Sequence, residues 1–80
     1  MNDRQADDHL ARVLDEHDRA AVVAECYRRL ECANYGTAVW FRTGFDSDPV
    51  FQTWSASGED NAQNAERAAD ALLAAWGKQG

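Results

Sequence analysis

Two histidines, two cysteines, a serine flanked by aspartates and a few scattered hydroxyls are the side chains of this 80-residue chain that could do chemistry. His9 and His17 stand eight positions apart, ~12 Å along a helix, too far to hold one metal ion. His17 adjoins Asp18, but neighbouring helical residues do not face each other, so the two make no oriented base. The expected role of His17 is a packed or half-exposed member of an apolar stripe. Cys26 and Cys32 lie ~9 Å apart along a helix axis and about 240° apart around it, so they cannot join while that helix is intact. Both are expected as small buried side chains. Asp46-Ser47-Asp48 lacks the further oxygen ligands of a calcium loop and reads as a turn. Ser47, Ser55 and Ser57 have no base at a spacing suited to a nucleophile, and no glycine-rich phosphate loop is present. The chain is therefore expected not to be an enzyme, with no catalytic residue, cofactor or metal.

The elements that must position these groups are legible as pattern. Asp7 to Ala33 carries no Pro or Gly and reads as helical, ended by Asn34-Tyr35-Gly36, where Asn34 or Gly36 can take a left-handed cap. This stretch bears two apolar stripes. One holds Leu10, Val13, Leu14, His17, Ala21 and Ala24; the other, roughly opposite, holds Val22, Val23, Cys26, Tyr27 and Leu30. One surface helix needs a single apolar face, so either the helix breaks near Asp18, a good N-cap, or the amino-terminal stripe meets the last helix, a second copy or a target. A break or an intramolecular contact is favoured, because small domains bury what they can.

Thr37 to Thr43 is strand-like, with Val39 and Phe41 facing one way and Ala38, Trp40 and Arg42 the other. Residues 44–49 read as a turn, and Val50 to Ala56 as a second strand with Val50, Gln52 and Trp54 on one face and Phe51 and Thr53 on the other. Trp40 and Trp54 are expected beneath the helices; the alternative is a solvent-side aromatic patch beside Asp46 and Asp48 that suits a basic partner. Ser57 supplies an N-cap for a last helix whose stripe is Ala62, Ala65, Ala69, Leu72, Leu73 and Trp76, closed by Gly77. The expected fold is α+β, one domain over residues 1–80 in the order α–β–β–α. A two-stranded antiparallel hairpin is packed by helices, and the first few residues and residues 78–80 are flexible.

Charge narrows the class of partner. Fourteen acids face eight bases, for a net charge of −6. Asp3, Asp7, Asp8, Asp15, Glu16 and Asp18 crowd the first eighteen residues; Asp46 and Asp48 sit in the turn, and Glu59 and Asp60 open the last helix. Such a surface repels nucleic acid and favours a basic protein groove, although a charge of this size also serves solubility alone. The candidate partner-binding residues, chosen on charge and expected exposure, are Asp46, Asp48, Asp7, Asp8, Asp15, Glu16, Asp18, Phe45, Glu59 and Asp60. No apolar run suits a membrane span and the acidic amino terminus is no secretory signal, so a cytoplasmic protein is expected, with no direct nucleic-acid or membrane contact.

The acidic chain with its stretch TAVWFRTGFDSDPVFQTW, followed by an Ala-rich helix, resembles the small phage-encoded anti-CRISPR proteins, most of all inhibitors of the type I-C system. The resemblance lies in size, acidity and organisation and transfers no functional residue. It implies a DNA mimic that binds a basic surface of a CRISPR-Cas effector (Cascade) subunit and blocks target DNA, in an infected bacterial host. Two other readings stand beside it: an antitoxin-like or accessory mobile-element protein that neutralises a basic partner, and a structural homo-oligomer built on the amino-terminal stripe. A monomer and a homodimer are both compatible with the sequence.

Overall fold

The computed structural model describes the backbone of residues 3–44 and 46–79 and the side chains of residues 9–44 and 46–77. The flexibility expected at the two termini, the side chains of Asp7 and Asp8, and Phe45 lie outside the described residues. The elements are α1 (Asp3–Asp15), α2 (Arg19–Cys32), β1 (Ala38–Arg42), β2 (Pro49–Trp54) and α3 (Gly58–Gln79). The class is α+β, an antiparallel hairpin with helices on one face, and the first helical stretch is divided in two.

The division falls at Asp18. The α1 helix closes with the Glu16 N–H on the Arg12 carbonyl and the His17 N–H on that of Leu14. His17 turns left-handed at φ 54, and Asp18, extended, accepts the Ala21 N–H on its carboxylate at 3.3 Å as the N-cap of α2. His17 is thus an exposed turn residue, not a member of an apolar stripe, because the reversal requires a left-handed residue there. The break lets each helix turn its own stripe inward: Leu10, Val13 and Leu14 from α1, and Val22, Cys26 and Leu30 from α2. Ala24 and Tyr27, assigned to these stripes by pattern, lie exposed.

Register bears out the grouping of Val39 and Phe41 with Phe51 and Thr53 and corrects the other face. Phe41 pairs with Phe51 and Val39 with Thr53, the two phenyl rings 6.3 Å apart. Arg42 pairs with Pro49, so Val50 is an extra, bulged residue that packs partly against the core instead of pointing outward with Gln52 and Trp54. Above the inner face, α3 contributes Ala65, Ala68, Ala69 and Leu72; Ala62, expected in this stripe, is exposed and Ala68 takes a core position. The helix also runs through Gly77 to Gln79, since an isolated glycine weakens a helix without ending it. No described helix is long and apolar enough to cross a membrane.

The two left-handed positions among the described residues, His17 and Gly36, give a paired prediction. A non-glycine residue held left-handed costs about 1–2 kcal/mol, partly offset by the flexibility glycine adds to the unfolded chain. In urea denaturation, His17→Gly is expected to raise the unfolding free energy by about 0.5–1 kcal/mol. Gly36→Ala, where φ is 82, is expected to lower it by about 1 kcal/mol.

Candidate functional site

Among the described residues the ionisable side chains that converge do so in pairs and small knots. The most buried acid is Glu25, 6% exposed on α2. It accepts hydrogen bonds from Arg28 at 2.8 and 3.2 Å and from Arg29 at 3.2 Å, and His9 Nε2 of α1 stands 3.7 Å away. Burial pushes the carboxyl up, but the two guanidiniums outweigh it and hold Glu25 below its ordinary value of 4.5. Both arginines lie on the same helix, three and four residues on, so the knot neutralises the carboxylate locally, with His9 of α1 beside it.

A second knot joins the ends of the hairpin to the helices. The buried Ser55 hydroxyl donates to the Asn34 carbonyl, the Gly36 N–H donates to the Ser55 carbonyl, and the Ser55 N–H donates to that of Thr37. Buried Asn61 accepts the Ala56 N–H at 2.8 Å. Asn61 was invisible in the sequence, where an asparagine within a helix gives no sign of burial. Asp60 meets the Ser57 hydroxyl at 3.5 Å in the first turn of α3, and the Ser57 carbonyl accepts the Asn61 N–H as the helix begins.

The cysteines divide. Cys26 is buried, and burial pushes its thiol up to about 12, leaving it unreactive. Cys32 is exposed rather than buried, because the last turn of α2 runs past the core; Arg28 Nη1 lies 3.9 Å from its sulfur. No three described His, Cys, Asp or Glu residues gather as a metal would need.

The open feature is the outer face of the hairpin. Trp40 pairs with Gln52 and Trp54 with Ala38, which makes the indoles diagonal neighbours on one face. They are 48% and 55% exposed, so the expectation that they lie beneath the helices is corrected: Phe41 and Phe51 fill that space. Arg42 follows on the same face and donates to the Ser47 carbonyl at 2.7 Å, anchoring the loop that carries exposed Asp46 and Asp48. Ser47 closes the loop itself, its hydroxyl bonding both the N–H and the carbonyl of Gly44 at 2.9 Å.

The candidate acids do not form one patch. Asp46 and Asp48 lie at the far end of the hairpin from the Ser55 knot, ~17 Å along a five-residue strand. Glu59 and Asp60 open α3 beside the end of α2, whereas Asp15, Glu16 and Asp18 lie at its start, ~21 Å away along its 14 residues. Asp15 and Asp18 also have structural work, Asp15 accepting the Trp76 indole N–H at 2.8 Å and Asp18 capping α2. Glu16 is exposed and forms no such tie in the turn. Comparison with family models, with curated proteins and with solved structures finds no match to this chain.

The Glu25 knot predicts a pH signature. A depressed folded value means that the stabilisation is present above the unfolded value near 4.5 and is lost as pH falls through the folded one. Glu25→Gln is expected to lower stability by about 1–3 kcal/mol at pH 7. That deficit should shrink in acid denaturation series run below the ordinary glutamate range.

Proposed function

We propose that this chain is a non-catalytic acidic binding protein whose hairpin face and adjoining loop engage a basic, nucleic-acid-handling protein surface. The observation that supports the reading is the pair of half-exposed tryptophans on one open sheet face, ending at a loop that projects Asp46 and Asp48. Tryptophans of this kind are the usual anchors of protein interfaces, and acids around them choose a basic partner and speed its approach. Arg42 tempers the loop charge, its guanidinium held at the Ser47 carbonyl, so Trp40 and Trp54 carry most of the binding energy and the aspartates supply steering.

The resemblance to small anti-CRISPR proteins names the partner to test: the basic surface of a type I-C effector complex subunit, in the cytoplasm of an infected bacterium. Such complexes hold DNA in lysine- and arginine-rich channels, and an acidic occupant there excludes the phosphates they would otherwise bind. No contact of the inhibitor with nucleic acid is needed.

In a DNA-loading assay with a reconstituted complex, Trp40→Ala with Trp54→Ala is expected to abolish inhibition, the two anchors together contributing about 4 kcal/mol. Asp46→Lys with Asp48→Lys is expected to weaken inhibition and flatten its salt dependence, and Asp7→Lys with Asp8→Lys to have a smaller effect. Full inhibition by both the tryptophan and the loop variants, each folded by circular dichroism, rules out this face.

A further inference from the structure

The fold uses one apolar face of α2 fully and the neighbouring one only through Val23, which packs partly against the core. Val22, Cys26 and Leu30 are buried, while Ala20, Val23, Ala24 and Tyr27 form a neighbouring stripe at i, i+3, i+4 and i+7 in which Ala20, Ala24 and Tyr27 stay exposed. Facing it across the helix pair, α3 presents Glu59, Ala62, Gln63 and Glu66 at the same spacing. Between them lies an open groove of about 440 Å³.

We propose that this groove is a docking site for a basic amphipathic helix of a partner protein, a contact separate from the tryptophan face. Its floor is built from the small side chains of Ala20, Ala24 and Ala62, which let a third helix approach closely and seat its ridge of apolar residues between α2 and α3. Each lining stripe spans about two helical turns, so the occupant presents a short segment of two to three turns.

Charge selects the occupant. Glu59 and Glu66 line the α3 wall. Glu31, hydrogen-bonded to the Tyr27 hydroxyl, stands at the Gly58 end, where its Oε1 would lie 4.0 Å from a Cβ on Gly58. At the opposite end Arg19 is held by Asp70 through two hydrogen bonds of 2.8 and 3.3 Å and also feels the Glu66 carboxylate. Glu59 and Glu31, with Glu66 only partly answered by Arg19, therefore offer carboxylates to lysines and arginines flanking an apolar helix face. A second copy of this acidic chain is a poor occupant, because a two-fold contact through the groove sets the Glu59 and Glu66 pair of one copy against that of the other.

The test is an NMR titration of the full-length, isotope-labelled chain with a hydrocarbon-stapled helical peptide carrying Leu and Ala on one face and Lys on the others. A scrambled peptide of the same composition serves as control. Amide shifts are expected in residues 20–27 and 59–66, with the hairpin unmoved. Ala24→Arg with Ala62→Arg, both at exposed positions, is expected to weaken binding by about tenfold or more by filling the floor. Glu59→Lys with Glu66→Lys is expected to weaken it about tenfold and to flatten its salt dependence. Trp40→Ala with Trp54→Ala should leave this titration unchanged, which separates the groove from the tryptophan face. The proposal is overturned if the stapled peptide binds no better than the scrambled one, or if its shifts map to the hairpin. It is equally overturned if the groove amides respond to protein concentration alone, which would make a second copy the occupant.

Discussion

The close approach of α3 to its neighbours is the constraint on which the structure depends. Ala65, Ala68 and Ala69 are fully buried, and with no side chain beyond Cβ they bring the helix backbone near both α2 and the hairpin. The larger residues of the facing elements, Leu10, Leu14, Val22, Leu30 and Phe41, then fill the remaining volume along with Leu72. Any larger group at the three alanines would push the layers apart and open the core. The same economy explains the outer surfaces. A core this thin has room for Phe41 and Phe51 under the helices, but not also for two indoles, so Trp40 and Trp54 take the opposite side of the pleat.

Polar contacts fix what apolar packing leaves loose. Glu25 sits among apolar neighbours with its charge answered by arginines of its own helix, which avoids the penalty of an uncompensated buried carboxylate. The Asp15–Trp76 hydrogen bond ties the end of α1 to the far part of α3, and the Arg19–Asp70 pair ties the start of α2 to the same region. Both lie in exposed settings and contribute orientation more than stability. Ser55 and Asn61 at the other end satisfy backbone groups of two connections that would otherwise be buried without partners.

Much of this was legible in the sequence because local signals agreed with the fold. The alternation of Val39 and Phe41 with Trp40 and Arg42 defined the faces of β1, and Asp18 announced a helix start in the middle of an unbroken helical composition. The misreadings have physical causes. Gly77 looked like a helix end, yet glycine also continues a helix at modest cost. Val50 fell on the wrong face because a bulge shifts alternation by one residue, and a bulge carries no composition signal. Which side of the hairpin the helices would cover could not be read from alternation, since both faces carried aromatics. The candidate acids fall in separate groups along the sequence, and folding does not bring the groups together: α2 separates the Asp15–Asp18 turn from Glu59 and Asp60, and the hairpin carries Asp46 and Asp48 to a third location. Glu31 of α2, by contrast, stands beside the start of α3 at Gly58 only because the two helices run antiparallel, whereas Glu59 and Glu66 share one face of α3.

Labour is divided between the two faces of the hairpin: the inner layer holds the fold, and the tryptophan face is surplus to it. Equilibrium urea denaturation of Phe41→Ala beside Trp40→Ala with Trp54→Ala tests this most directly. Loss of the fully buried phenyl ring is expected to cost about 3–5 kcal/mol, enough to unfold much of a domain this small. Loss of both half-exposed indoles is expected to cost less than about 1 kcal/mol, as surface substitutions do. A tryptophan double variant that unfolds as readily as Phe41→Ala would overturn this division, because the indoles would then belong to the core.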